Sequence, residues 1–340
     1  MDQPLPQSYT ISINNGYKEL IIKHGSSLLA GLARNGLLIP SACGGNARCG
    51  YCKVKVVDGG GPVTPREEPL LSSEDKAQNM RLACQVLVQN NLSLEIPDNL
   101  FSVKRFSGKL TKKDLLTYDI LGLEIEVAGS GTIDFTAGQY VQLKSLPYDG
   151  KDAVLRNFSI GSPPSRNTGI ELMIRRIPHG IFTNWAFDHL KIGDSISFTG
   201  PYGNFKASNS STPLLFIAGG SGMAPVWSIL QDLREKKASR KICFFFGALT
   251  QKDLFLTDQL YGLQKELPDF TFIPALSNEP VQSSWTGERG LITEVVSRNV
   301  KDCKGYEAYL CGSPGMINAC IKVLCSGGIP EKDIFFDKFV

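Results

Sequence analysis

The sequence predicts a multidomain chain of three folded parts. They are a small α+β unit over residues 1–101, an antiparallel β-barrel over 102–206 and an α/β unit with a parallel sheet over 207–340. Three observations carry this. A hairpin, a short helix and further alternating segments fill the first hundred residues. Short alternating stretches separated by Gly, Pro and Asp fill the second hundred, at the spacing of a barrel. In the remainder, apolar runs alternate with amphipathic helices, the pattern of parallel strands joined by right-handed crossovers.

In the first part, YTISIN (9–14) and ELIIKHG (19–25) read as strands joined at Asn14-Asn15-Gly16, residue types that accept the positive φ of a tight hairpin. SSLLAGLARNG (26–36) has a serine start, helical apolar spacing and a glycine stop. CKVKVVDGG (52–60) alternates as a strand, and RLACQVLV (81–88) and LSLEI (92–96) complete the unit. Between helix and strand lies CGGNARCGYC (43–52). Cys43, Cys49 and Cys52 are spaced C-x5-C-x2-C, and Cys84 follows after 31 residues. The chain has nine cysteines and no secretory signal, which favours ligands, catalytic groups or core residues over disulfides. Four thiolates hold either zinc or a [2Fe-2S] cluster. Zinc knuckles usually pair ligands as C-x2-C twice. Three clustered cysteines and one remote match the plant-type [2Fe-2S] spacing, with a first gap of five residues where four is usual. Gly44, Gly45 and Gly50 let the backbone curl so that amides face the sulfurs of an anionic cluster.

In the second part, LGLEIEVAG, QYVQLKSL, VLRNFSIGS, GIELMIRRI and DSISFTGPYG are the strands, interrupted by one helix at TNWAFDHL (183–190). On a strand Arg156 and Phe158 share a face; a guanidinium fork suits a phosphate, and a ring suits stacking on a flat cofactor. The ordinary alternatives are a surface salt bridge and a core aromatic. Pro178 to Thr183 precede the helix, where amides can meet a phosphate. Gly200 to Phe205 form a tight turn at the barrel's end.

In the third part, PLLFIAGGSGMAPVWSILQDL (213–233) is strand, glycine loop and helix, and YEAYLCGSPGMINACIKVLCSGG (306–328) repeats that order. Between them lie KICFFFGAL (241–249), DQLYGLQKEL (258–267), TFIPALS (271–277) and GERGLITEVVS (287–297); DIFFDKF (333–339) closes the sheet. The two loops therefore fall at the carboxyl edge of the strands, where such sheets bind ligands. The first has Pro225 where a G-x-G-x-x-G fingerprint wants glycine. Cys243, Cys320 and Cys325 read as buried packing, and Cys303 as a surface thiol.

Composition bounds the function. With 36 basic and 33 acidic residues the formal charge is +3, which gives no electrostatic case for nucleic acid or a membrane surface. The start, MDQPLPQSYTISINN, is no signal peptide, and the longest apolar runs are too short to span a bilayer. The expectation is a cytoplasmic protein.

With these residues in place, the sequence resembles the ferredoxin–NADP reductase superfamily fused to an N-terminal plant-type ferredoxin domain. The resemblance implies a β-grasp ferredoxin domain, a flavin-binding barrel and a nucleotide-binding α/β domain. It implies that Arg156 meets the FAD pyrophosphate, Phe158 packs on the isoalloxazine and Ser159 bonds near the reactive nitrogen, with Asn157 between them. The family's helix start resembles Gly180, Ile181, Phe182 and Thr183, and either Pro163-Pro164 or Gly203 to Phe205 suits the AMP half. Its nicotinamide loop resembles Gly219 to Pro225, with Gly220, Ser221, Gly222 and Met223 inside it. Its CG-P-P-x-M loop resembles Cys311, Gly312 and on to Met316, with Ser313 for the first proline. Cys311 then stands at the hydride-transfer point, and Phe339 covers the flavin face. Cys43, Cys49, Cys52 and Cys84 take the cluster. Two groups look most similar: reductase components of bacterial multicomponent oxygenases, and the F subunit of sodium-translocating NADH–quinone reductase, whose N-terminal membrane anchor is not expected here. The implied enzyme passes electrons from NADH to FAD, then singly through the [2Fe-2S] cluster to a protein acceptor, expected to be an oxygenase component. NADH over NADPH rests on one lysine, Lys252, and no arginine after KICFFFGA. No acid–base pair is read, and the rim of the cluster loop, Asn46 to Arg48 and Tyr51, is the expected docking point. The chain is expected to be monomeric or transiently associated.

Overall fold

The computed structural model describes residues 6–339. In the first part, β1 (Ser8–Ile13) and β2 (Lys18–Lys23) form the hairpin, with Asn14, Asn15 and Gly16 all at positive φ. The helix α1 (Leu28–Arg34) starts at Ser27, whose Oγ accepts from the Ala30 amide at 3.3 Å. Then come β3 (Lys53–Asp58), α2 (Ser73–Ala77), β4 (Met80–Leu82) and β5 (Leu92–Glu95), giving the sheet order β2-β1-β5-β3-β4. Of the segment around 81–88, only Met80–Leu82 pairs with β3; the chain turns at Cys84, and the Ala83 amide donates to the Cys52 carbonyl at 2.8 Å.

The barrel strands are β6 (Lys104–Leu115), β7 (Ile120–Val127), β8 (Tyr140–Lys144), β9 (Leu155–Ser159), β10 (Gly169–Arg175) and β11 (Ser195–Tyr202), in the order β10-β7-β6-β11-β8-β9. An antiparallel bridge from Ile160 to Leu172 brings the two ends of this order together. The longest strand, β6, is absent from the sequence reading. Its lysines and Asp114 hide the alternation, because only Gly108 and Leu110 are buried on its inner face. The helix expected at 183–190 starts earlier, as α3 (Ile181–Asn184) continuing into a π-helical turn at Trp185–His189.

The third part has β12 (Leu214–Gly219), α4 (Met223–Glu235), β13 (Ile242–Ala248), α5 (Thr257–Glu266), β14 (Phe270–Leu276), β15 (Glu288–Arg289), α6 (Ile292–Asn299), β16 (Glu307–Gly312), α7 (Pro314–Ser326) and β17 (Ile334–Lys338). The sheet is parallel throughout, in the order β15-β14-β13-β12-β16-β17. Leu214, Phe216 and Ala218 pack on one face, Leu215 and Ile217 on the other, so both faces are buried and the strands read as unbroken apolar runs.

The chain divides into two compact units. One holds residues up to Phe106 with Val141–Asn157 and Ser197–Tyr202; the other holds Ser107–Tyr140, Phe158–Ile196 and the chain from Gly203 on. Cys303 is buried at 2% exposure, not a surface thiol, because its sulfur tucks against Gly327. Cys325 is exposed, facing away from the core side of α7 that Cys320 and Leu324 fill. All nine cysteines are free thiols.

Candidate functional site

In the first unit the four cysteines fall into two pairs. Cys43 and Cys49 sulfurs stand 3.4 Å apart, and the Cys52 and Cys84 thiols hydrogen-bond each other. Among the described residues no three Cys, His, Asp or Glu side chains converge on one metal ion. Two thiol pairs fit a two-iron cluster, each iron taking two thiolates, better than a single tetrahedral zinc. Backbone amides aim at the sulfurs: burial pushes the Cys43 thiol up, but donors at Arg48, Cys49 and Asn46 outweigh it and hold it low. The hydrogen bond from Cys52 draws Cys84 down to about 6, aided by Gln85 and the Ala47 amide. Gly44, Gly45 and Gly50 all sit at positive φ, as an inward-turned loop requires. Leu70 covers Gly50 from a flanking loop, its Cβ 3.8 Å from where a Gly50 Cβ would lie. That loop is held by Arg81, which donates to the carbonyls of Gly60 (2.9 Å), Gly61 (2.7 Å) and Pro62 (2.8 Å) and pairs with the fully buried Glu67.

Strand β9 presents the residues of the flavin resemblance. Arg156 is exposed, and among the described residues no carboxylate pairs with it; its Nη1 donates to the Leu155 carbonyl at 2.7 Å and the Ala42 carbonyl at 3.1 Å. A guanidinium without a carboxylate can take a phosphate. Asn157 Oδ1 accepts from the buried Gln142 at 3.0 Å, while its buried Nδ2 has no acceptor. Burying an unsatisfied amide costs about 1–3 kcal/mol, which a bound polar group would offset. These two features fit an FAD beside β9. Phe158 is half-buried against Phe182, ring centroids 4.8 Å apart, and Ser159 is buried. Phe182 is buried at 1% and packs also on Trp185, so its side chain serves the core. Gly180 is the N-cap of α3, and the Thr183 hydroxyl is engaged with the Ile177 amide at 3.1 Å. Gly203 sits at φ +94 against Tyr140, where a Cβ would come to 3.0 Å.

In the second unit, the two glycine loops interlock. A Cβ on Gly222 would lie 2.3 Å from the Cys311 carbonyl oxygen, and one on Gly219 would lie 3.1 Å from the Met316 sulfur. Ser313 caps α7 by accepting from the Met316 amide at 3.4 Å, and Pro314 fills the first helical position. Ser221 lies in the turn that feeds α4, and Met223, Ala224 and Pro225 form its buried first turn. Cys311 is wholly buried, and desolvation first, with Asp337 second, pushes its thiol far up, so it presents a neutral sulfur. Phe339 packs on the same core as Cys311 and Met223, its amide donating to the Gly312 carbonyl at 2.9 Å.

A cleft of about 330 Å³ opens beside the loops, lined by Gly219, Gly220, Ser313 and Met316 together with Asp119, Arg175 and Asp253. The last three are absent from the sequence reading. Arg175 Nε donates to Asp119 at 2.7 Å, and its Nη1 would lie 3.2 Å from a Gly220 Cβ. Asp253 accepts from the Thr250 amide (2.8 Å), the Thr250 hydroxyl (2.8 Å) and the Tyr118 hydroxyl (3.0 Å). The only local signal for Asp253 is the capping pattern T-x-x-D. Asp337 is absent from that reading too: it pairs in register with Cys311, and burial pushes its carboxyl up to about 6.

Known proteins share this organisation. Family descriptions match at residues 13–89 (2Fe-2S iron-sulfur cluster binding domain), 107–207 (oxidoreductase FAD-binding domain) and 216–322 (oxidoreductase NAD-binding domain). The chain is 32% identical to the F subunit of the Na(+)-translocating NADH-quinone reductase of Klebsiella pneumoniae, over 97% of this chain and 91% of that one. The corresponding F subunit of Neisseria meningitidis matches with the same figures, 32%, 97% and 91%. Among solved structures, an Amycolatopsis cytochrome P450 reductase, GcoB, superposes with a TM-score of 0.80 at 26% identity, covering 97% of this chain and 98% of that one. The ferredoxin reductase in carbazole 1,9a-dioxygenase gives 0.74 at 25%, covering 98% of both. Among the described residues no helix is long and apolar enough to cross a membrane. The chain is an oxidoreductase with FAD-binding, NAD-binding and [2Fe-2S] domains, and it belongs to the ferredoxin–NADP reductase superfamily, in the branch with an N-terminal ferredoxin domain that includes the F subunit of the sodium-translocating NADH–quinone reductase.

Proposed function

We propose that this chain is the NADH-dependent reductase of a multicomponent oxygenase, delivering single electrons to its hydroxylase component in the cytoplasm. The observation that carries the reading is the pairing of thiols, Cys43 with Cys49 and Cys52 with Cys84, in a chain that also interlocks two nucleotide loops at Gly222 and Cys311. FAD, when bound, accepts an electron pair from NADH and releases electrons one at a time, which is what a [2Fe-2S] cluster takes. The protein's own work is placement. Arg156, Asn157, Phe158 and Ser159 would hold the flavin, and Gly180 to Thr183 and Gly203 would meet its phosphate and AMP ends. The loops from Gly220 to Pro225 and from Cys311 to Met316, with Phe339, would hold the nicotinamide. NADH is preferred because the cleft carries two carboxylates, Asp119 and Asp253, and its Arg175 is already paired with Asp119, leaving acid where a 2′-phosphate would need a cation. Lys252 is not among the cleft-lining residues.

The likeness along almost the full length to two reductases of oxygenase systems supports this acceptor. The identity to components of a quinone reductase supports a second reading, in which the same electrons go to another redox partner. One experiment separates them. The purified, yellow-brown protein is supplied with NADH, and reduction of ferricyanide, of a quinone and of a candidate hydroxylase from neighbouring genes is compared. Turnover of the hydroxylase is expected, along with a drop on reversing the exposed Arg48 to Glu that leaves flavin reduction unchanged. Quinone reduction in preference to the hydroxylase would favour the second reading. No NADH-dependent reduction at all would leave only a docking scaffold.

A further inference from the structure

The segment after β9 and the helix after the first glycine loop are joined by two hydrogen bonds that neither the flavin nor the nucleotide explains. Ser228 Oγ donates to the Ser162 carbonyl at 2.7 Å, and Gln231 Nε2 donates to the Gly161 carbonyl at 2.9 Å. Ser228 and Ser162 are both fully buried. Ser228 and Gln231 stand three residues apart on α4 and so face the same way. The same segment touches the helix at its start: a Cβ on Gly161 would lie 3.8 Å from the Ala224 Cβ.

These contacts close a ring. From Gly161 and Ser162 the ring passes along α4 back to the loop Gly220–Gly222 that opens it. Arg175 lies against Gly220, and Arg175 ends β10. Glu171 of β10 then returns to the starting point, its carbonyl accepting from the Gly161 amide at 2.7 Å and its amide donating to Ser162 Oγ at 3.1 Å. Every member belongs to the same compact unit. Ser159 precedes Gly161 by two residues and Phe158 by three, and the loop Gly220–Gly222 is part of the ring. A ring of short elements joined by hydrogen bonds, with one close contact at Arg175 and Gly220, holds its members more rigidly than apolar packing alone, because each bond fixes direction as well as distance.

We propose that Ser228 and Gln231 are positioning residues for hydride transfer, which lock the strand carrying Phe158 and Ser159 to the loop Gly220–Gly222. The proposal rests on the flavin lying at Phe158 and Ser159. Neither side chain needs to touch a cofactor for this role. A displacement near 1 Å at the reacting centre can cost about 10²-fold in rate, so small slackening of this ring is visible in the hydride step and not in binding.

The test uses the full-length holoprotein and the double variant Ser228→Ala/Gln231→Met. Flavin reduction by NADH is followed by rapid mixing, with protiated and 4-deuterated NADH, and NAD⁺ and FAD affinities are measured separately by titration. The limiting rate is expected to fall about ten- to a hundredfold, with a larger deuterium isotope effect, while both affinities stay within about twofold of the wild type. A limiting rate within about twofold of the wild type would overturn the proposal. So would a loss that merely follows FAD content or NAD⁺ affinity, since either reports a contact for folding or binding alone. If the double variant fails to retain FAD, the single variants Ser228→Ala and Gln231→Met are judged by the same criteria. Ser159→Ala runs beside them. A slow Ser159→Ala with a normal double variant overturns only the role of Ser228 and Gln231; normal rates in both overturn the flavin placement as well.

Discussion

The ion pair between Arg81 and Glu67 sits at the root of the loop whose Leu70 covers Gly50 of the cysteine loop, and its removal has a calculable cost. Glu67 is 0% and Arg81 5% exposed. Replacing Arg81 with Met strips Glu67 of its cation and leaves Thr64 Oγ1, 3.2 Å away, as its remaining side-chain donor. The carbonyls of Gly60, Gly61 and Pro62 lose their donor at the same time. Those carbonyls belong to an exposed loop and can turn to water, so the main loss is the stranded carboxylate. Breaking a buried pair from one side costs about 3–5 kcal/mol. That lowers the folding equilibrium by roughly two to four orders of magnitude and takes a large part of a typical domain's 5–15 kcal/mol. The double variant Arg81→Met/Glu67→Leu removes both charges and fills the volume with apolar atoms, so it is expected to recover most of the loss. The assay is a urea titration of the holoprotein followed by visible cluster absorbance. Because Leu70 of this loop covers Gly50, cluster bleaching should track unfolding of the loop. A single variant within about 1 kcal/mol of wild type, against the 3–5 expected, refutes the reasoning. A double variant no more stable than the single shows that lost packing, not the stranded charge, was responsible.

Two further outcomes follow from the nucleotide unit. Gly222→Ala drives a Cβ to 2.3 Å from the Cys311 carbonyl oxygen, a clash with backbone that no rotamer relieves. NADH affinity should fall at least about tenfold, roughly 1.4 kcal/mol, with cluster and FAD retained; unchanged titration with NADH would mean the loops do not need this approach. For Asp337, the folded carboxyl is raised to about 6 against an ordinary value of 3.8, so the native state holds the proton more tightly than the unfolded chain. Its contribution to stability is therefore complete below pH 3.8 and is lost as pH rises through about 6. Asp337→Asn should stabilise the protein by roughly 1–3 kcal/mol at pH 8 and by almost nothing near pH 4, measured by denaturation at both; a variant less stable at pH 8 reverses the sign and refutes the account.

What the sequence reveals and what it hides divide along a physical line. Cys43, Cys49, Cys52 and Cys84 are readable because spacing within a glycine loop is a local property. The strands β12, β13 and β16 are readable because burial on both faces leaves unbroken apolar runs. β6 is hidden because its outer face is lysine-rich, and a half-exposed strand keeps only a faint alternation. The place of Phe182 beside Gly180 suggests a cofactor contact, whereas packing against Trp185 and Phe158 turns its ring inward. Asp119, Arg175 and Asp337 carry no pattern in the sequence, and Asp253 only a helix-capping one. Each becomes notable only when distant strands meet: Arg175 with Asp119 across 56 residues, Tyr118 with Asp253 across 135.

The two ends of the electron path are held by different forces, and that difference bears on what can change in evolution. At the cluster loop the sulfurs are met by main-chain amides of Asn46, Arg48, Cys49 and Tyr51, so the exposed side chain at position 48 is free to vary, whereas Asn46 Nδ2 donates to the Cys43 carbonyl at 2.8 Å and braces the loop. Acceptor specificity can be rewritten there without disturbing the amide donors that set the cluster's environment. At the nucleotide end the contacts are side chain to backbone and glycine to carbonyl, as at Gly222 with Cys311 and Ser228 with Ser162, each buried and sterically closed. A substitution there moves the reacting groups themselves. The donor end is therefore constrained to one geometry, while the acceptor end has room to change its surface chemistry.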